Sequence, residues 1–246
     1  MKKIVIVGDS FSYGHGCKDR VFYMDKQTNS LVGCQANLPL DNPSLYCWAS
    51  ILQNTYPNIE IYNLARCGNS NPSMFRNLLE HSEQNFIKTD LIMFMGTLPD
   101  RMDVCDPSGG HIVPWTIGVE IQDTSKSDNP VHAAKKMFVS WLYGASLGQY
   151  ASIQSLLASY CYAQLNDIDF VWSMPLGFKD NPKFVKAVEP LLKYQIPSLI
   201  GFDYSGKKDD NYNKHCLCPD YHTNELGHEV YFEKVILPYM EAKIKS

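Results

Sequence analysis

The stretch Ile4-Val5-Ile6-Val7 is an unbroken β-branched run that stops abruptly at Gly8-Asp9-Ser10. A short, continuously apolar run suits a strand covered on both faces, as in the middle of a parallel sheet. Parallel strands need long crossover connections, usually helices, so this run commits the chain to an α/β fold. It also indicates where chemistry would sit, because open parallel sheets bind ligands at the carboxyl ends of their strands. Ser10 is delivered to that end and is a candidate nucleophile. Taken alone, Gly-Asp-Ser also reads as an ordinary turn.

The remaining chain keeps the strand–helix rhythm. Pro43 to Asn54 spaces Leu45, Trp48, Ile51 and Leu52 at helical intervals, with Asn42 as the start. Ile59 to Leu64 reads as a second strand. Asn71 as cap and Pro72 at the first helical position open a helix striped by Met74, Phe75, Leu78 and Leu79. Leu91 to Met95 is a third strand. Ala133 to Gln164 is mostly helical, in two pieces broken near Gly144 or Gly148. Ile168 to Met174 and Ser198 to Phe202 supply a fourth and a short fifth strand. The final helix spans about Asn224 to Ile244, and Pro238 is expected to kink or divide it. Two stretches break the rhythm: Cys17 to Asn42, expected as surface structure beside Ser10, and about 102–130, expected as an irregular insertion walling the substrate side. With 246 residues and no linker or repeat, the expectation is a single domain over 1–246.

Several function classes are disfavoured. The net charge of -4 carries no basic block, so no nucleic-acid partner is expected. No apolar run approaches the roughly 18 residues of a membrane span. The first apolar run is also shorter than the ~7–15 residues of a signal peptide's core. The expected location is cytoplasmic, or virion-associated if the chain is phage-encoded. Neither Gly-x-Gly-x-x-Gly nor Gly-Lys-Ser/Thr occurs, which disfavours a nucleotide cofactor. The eight cysteines are scattered and read as reduced thiols. His215-Cys216-Leu217-Cys218 with nearby His222 has ligand chemistry, but Cys-x-Cys is not the usual zinc spacing and no second pair completes a tetrahedron. No metal and no cofactor are expected.

A serine nucleophile needs a base and oxyanion donors. His222 sits just ahead of the last helix, where a histidine also serves as a surface or capping residue. A rival nucleophile lies in Gly144-Ala145-Ser146-Leu147-Gly148, which matches the Gly-x-Ser-x-Gly elbow. That motif requires a strand before it, whereas Ala133 to Met137 is rich in helix formers. Small residues at a helix–helix contact explain the match better.

Gly8-Asp9-Ser10, Asn63-x-Ala65-x-x-Gly68, Gly96 and Asp220-x-His222-x-Asn224-x-x-Gly227-His228 together resemble the blocks of the SGNH, or GDSL, hydrolase superfamily. They occur in family order and span nearly the whole chain. The resemblance implies a three-layer α/β/α, flavodoxin-like fold with a five-stranded parallel sheet. It implies Ser10 as nucleophile, His222 as base, and the backbone N–H groups of Ser10 and Gly68 as the oxyanion hole.

Two departures stand out. The family's third block is Gly-x-Asn-Asp, and Leu98 takes the place of its donor asparagine. Thr97-Leu98-Pro99-Asp100-Arg101 resembles instead a divergent bacterial and phage branch with Thr-x-x-x-Arg. The Thr97 hydroxyl, or the amide of Asn69 or Asn71, is then the replacement donor, and Arg101 either faces substrate or pairs with a neighbouring carboxylate. In the last block the family's carboxylate lies three residues before the histidine, where this chain has Pro219. Asp220 lies two before, which leaves open a Ser10–His222–Asp220 triad or a dyad oriented by a backbone carbonyl. The expected function is a serine esterase acting on an oxygen ester, an acetyl or short acyl group on a carbohydrate or similar small alcohol. The alternative is a catalytically weak or inactive SGNH-fold binding or structural module, virion-associated.

Overall fold

The computed structural model describes residues 2–19, 23–25, 30–32, 42–85, 88–99, 101–105, 112–116, 145–175, 182–204, 215–218 and 222–245. The apolar run forms β1 (Lys3–Gly8), inside a four-stranded sheet with β4 (Glu60–Asn63), β5 (Leu91–Met95) and β8 (Asp169–Ser173). The order is β4-β1-β5-β8, and every pairing is parallel. From β1 the chain crosses first to β4 on one side and then to β5 on the other. That reversal makes the carboxyl end of β1 the topological switch point of the sheet.

Alternate residues of the strands feed two separate cores, as the pleat requires. Ile4, Ile6, Met93, Met95 and Val171 pack on α2 (Trp48–Thr55) and on the carboxyl-terminal helical segment. Val5, Val7, Ile92, Phe94, Phe170 and Trp172 face α3 (Asn71–Asn85) and α4 (Ala145–Leu165). Each such side chain, fully buried, is worth about 1.5–3 kcal/mol. Helices on both faces of a parallel sheet give the three-layer α/β/α architecture.

Details depart from the sequence expectation for identifiable reasons. Ser198 to Phe202 forms a turn, with Gly201 in the left-handed region (φ 71°). The fifth-strand position is held by one parallel bridge from Gln195 to Trp172, with Ile196 N–H donating to the Trp172 carbonyl at 2.9 Å. Pro197 follows and has no N–H to extend that ladder. Helix α2 begins at Trp48, well after Pro43. Its cap Cys47 makes no side-chain capping bond; the Trp48 N–H donates instead to Nδ1 of His228 at 3.3 Å. At α3 the cap is Ser70, whose hydroxyl accepts from Ser73 N–H, while Asn71 lies inside the first turn.

Helix α4 passes through Gly148 unbroken, and residues 133–144 lie outside the described set. After α5 (Pro182–Val188) and a 3₁₀ segment (Glu189–Tyr194), the last helix is continuous: α6 (Glu225–Tyr231), a π segment (Phe232–Ile236) and α7 (Leu237–Lys245). In the π segment Leu237 N–H donates five residues back to Phe232. This widened turn lets the helix run past Pro238 without dividing.

In the expected insertion, β6 (Arg101–Cys105) and β7 (Ile112–Thr116) form an antiparallel hairpin, and the rest of 102–130 lies outside the described residues. Between Cys17 and Asn42, β2 (Tyr23–Asp25) pairs with β3 (Ser30–Val32). Among the described residues no helix is long and apolar enough to cross a membrane.

Candidate active site

β1 ends at Gly8, and Asp9 caps α1 (Ser10–Tyr13) by accepting from Phe11 N–H at 3.0 Å. Ser10 therefore opens a helix at the switch point, buried to 3% exposure. A Cβ on Gly8 would lie 2.6 Å from Cβ of Ser12, so only glycine lets α1 fold back this tightly onto the strand.

The histidine arrives from the far end of the chain. Leu217 and Thr223 form an antiparallel bridge, and Cys218 N–H donates to the His222 carbonyl at 2.8 Å. Thr223 Oγ1 and the Tyr204 hydroxyl share a buried bond of 2.7 Å, and Asn224 caps α6 by accepting from Gly227 N–H. The Cys218 thiol donates to the Gly16 carbonyl at 2.9 Å. Gly16 lies so close beneath this loop that a Cβ there would run into the Thr223 carbonyl oxygen. These ties bring His222 Nε2 to 3.0 Å from Ser10 Oγ, across 212 positions of sequence. The imidazole is flanked by Phe11 (ring centroids 4.9 Å) and His15 (4.1 Å). His15 Nδ1 in turn lies 3.3 Å from Cys67 Sγ.

Loop 64–70 carries the other side of the site. Arg66 N–H and Asn69 Nδ2 both donate to the Gly8 carbonyl, at 3.3 and 2.9 Å, which fastens the loop to the end of β1. Gly68 is left-handed (φ 80°). Among the described residues no acceptor engages the N–H of Ser10 or of Gly68.

Behind the serine lies a buried ionic group. Asp9 Oδ2 accepts from Thr97 Oγ1 at 2.7 Å and from Arg101 Nη1 at 3.0 Å. Thr97 and the carboxylate are buried, and the guanidinium nearly so. Of the two roles open to Arg101, the structure therefore has the ion pair. The single hydroxyl proton of Thr97 is committed to Asp9. Asn71 uses both amide protons, on the Thr97 carbonyl (3.0 Å) and Ser152 Oγ (2.8 Å), and its Oδ1 accepts from Thr97 N–H. Of the three side chains offered as a third oxyanion donor, Asn69 keeps an N–H uncommitted among the described residues. Leu98 is exposed.

Asp220 lies outside the described residues. Ser146 falls within α4, and Gly144 of that motif is also outside the described set. Cys216 is buried in the core, Cys218 is turned onto Gly16, and His215 is exposed; the described residues hold no cluster of three metal-ligating side chains. His228 lies apart from the Ser10–His222 pair. Complete burial pushes its pKa down to about 3, and the neutral ring accepts from Trp48 N–H. Sequence reasoning did not single out Phe11, His15, Cys67, Gly16 or Tyr204. Only His15 left a trace, a histidine between two glycines close after Ser10, with no spacing that ties it to position 222.

No family model matches the chain, and no curated protein matches it. Solved structures resemble it along nearly its whole length. The psychrotrophic esterase EstA from Pseudoalteromonas sp. is 13% identical with a TM-score of 0.49, covering 98% of this chain and 100% of that one. The acetyl xylan esterase AlAXEase is 13% identical with a TM-score of 0.48, covering 94% and 96%. A structure described as a lipolytic protein of the G-D-S-L family, from Desulfitobacterium hafniense, is 12% identical with a TM-score of 0.42, covering 95% and 97%.

Proposed function

We propose that the chain is a serine esterase of the SGNH type, with Ser10 as nucleophile and His222 as base. One observation carries this reading: Ser10 Oγ and His222 Nε2 stand 3.0 Å apart at the carboxyl end of β1. The serine hydroxyl donates to Nε2, and Oγ attacks the ester carbonyl carbon as its proton passes to the imidazole. The N–H groups of Ser10 and Gly68, with Asn69 Nδ2 as the third donor, hold the developing oxyanion. Collapse of the tetrahedral intermediate expels the alcohol, which takes the proton from His222. Water, deprotonated by the same ring, then cleaves the acyl-serine and releases the acid. Asp220 is assigned to orient the imidazole, and Asp220→Asn separates a triad from a dyad.

The substrate is an acetyl or other short acyl ester of a small alcohol or carbohydrate. The near-complete burial of Ser10 and the rings of Phe11 and His15 around the base favour a small acyl group. A fluorophosphonate probe tests the reading directly. It should label Ser10, identified by peptide mapping, and Ser10→Ala or His222→Ala should lower hydrolysis of p-nitrophenyl acetate at least about a thousandfold. A folded protein whose Ser10 stays unlabelled would be a binding module instead.

A further inference from the structure

The group nearest the proposed base that the mechanism leaves unused is a thiol–imidazole pair. His15 Nδ1 stands 3.3 Å from Cys67 Sγ, and the His15 ring lies 4.1 Å from that of His222. Cys67 is exposed, whereas His15 is nine-tenths buried, so an accessible thiol stands against an imidazole packed within the protein. The other cysteines with described side chains lack this combination. Burial raises the thiol pKa of Cys17, Cys47 and Cys216, and Cys218 spends its proton on the Gly16 carbonyl. Cys161 is exposed on α4, and its thiol makes no hydrogen bond among the described residues. An exposed thiol beside a proton acceptor is the setting in which thiolate chemistry is fast.

We propose that Cys67 and His15 form a modification site that takes up a low-molecular-weight disulfide of the glutathione class, and that the adduct closes the approach to Ser10. His15 Nδ1 accepts the thiol proton, and the Cys67 thiolate attacks one sulfur of the small disulfide. The reagent's S–S bond breaks as the new Cys67 S–S bond forms, and the departing thiolate takes up the proton, releasing a free thiol. The adduct is placed to matter, because Cys67 directly precedes Gly68 and its base partner touches His222. A reducing thiol reverses the reaction. The second half of this inference rests on the esterase reading; the first does not.

The test has two arms. In the first, the reduced native protein reacts with the aromatic disulfide DTNB, and modified peptides are mapped against time. Cys67 should react at least ~tenfold faster than Cys161 in the same sample, and His15→Gln should slow Cys67 at least ~fivefold while leaving Cys161 unchanged. Equal rates at the two cysteines in the native protein overturn the site, whether or not the His15 variant folds. In the second, protein loaded with oxidised glutathione should lose fluorophosphonate labelling of Ser10 at least ~fivefold and regain it with dithiothreitol, while Cys67→Ser labels equally with and without glutathione. Unchanged labelling of the Cys67 adduct overturns the closure. Failure of Ser10 to label in the reduced protein sinks the esterase reading and the closure with it, while the DTNB arm still decides the thiol site by itself.

Discussion

At the scale of single residues, Gly16, Asn69 and Asn71 fix the surroundings of Ser10 and His222. Gly16 lies against the backbone that presents His222, and any Cβ there meets a carbonyl oxygen rather than a flexible side chain. Gly16→Ala should therefore push the loop away from Ser10, lowering kcat at least ~tenfold while KM changes little, a split read from steady-state kinetics. Asn69 and Asn71 should part company. Asn69→Ala, which removes the remaining candidate donor, should lower kcat by about 10²–10³. Asn71 instead ties loop 96–98 to α4 through Thr97 and Ser152, so Asn71→Ala should cost about 1–3 kcal/mol of stability for its unsatisfied buried partners. Thermal melts beside kcat for both variants check the division, and the reverse pattern would reassign the donor. The candidacy of both amides and of the Thr97 hydroxyl was legible in sequence. Which one had a spare proton was not, because that depends on which carbonyls three separate loops bring together.

Among the elements, the β6–β7 hairpin is tied to the turn at Ser10 by a buried ion pair. Arg101 opens β6, and its partner Asp9 immediately precedes Ser10. Removing the cation alone leaves a buried carboxylate with Thr97 as its remaining side-chain donor, so Arg101→Met should destabilise by ~3–5 kcal/mol. Asp9→Asn keeps a capping side chain. Combined with Arg101→Met it should be less destabilising than the two single changes summed, by at least about 1 kcal/mol in urea melts. Strict additivity would mean that the pair contributes nothing as a pair. The spacing Thr97-x-x-x-Arg101 announced a unit without revealing its purpose. The two side chains converge only because β5 lies beside β1, with Met95 level with Gly8.

For the whole molecule, His228 joins the carboxyl-terminal helix to α2 and makes folding pH-sensitive. Its folded pKa is held at about 3 by burial, against an ordinary value of 6.5. Between those values the unfolded chain binds the extra proton, so stability is full above pH 6.5 and lost as pH falls toward 3. The slope attributable to this residue is about 1.4 kcal/mol per pH unit. His228→Gln should flatten the dependence in denaturant melts across that window, and an unchanged slope would place the sensitivity elsewhere.

What the sequence determined by itself was local and periodic. The β-branched run made β1, the i, i+3, i+4 stripes made α3 and the last helix, and the glycine after the run let Ser10 open a helix at the strand end. Such features depend on neighbours a few residues away, which is the range over which pattern carries information. Tertiary structure alone decided that Ser10 and His222 meet across 212 positions, that Arg101 turns to Asp9, that His228 caps α2, and that His15 and Cys67 line up beside His222. Each of those pairings follows from strand order and from loops converging on the switch point. A polar side chain takes the partner that folding places within hydrogen-bonding distance, and no spacing in the chain encodes that distance.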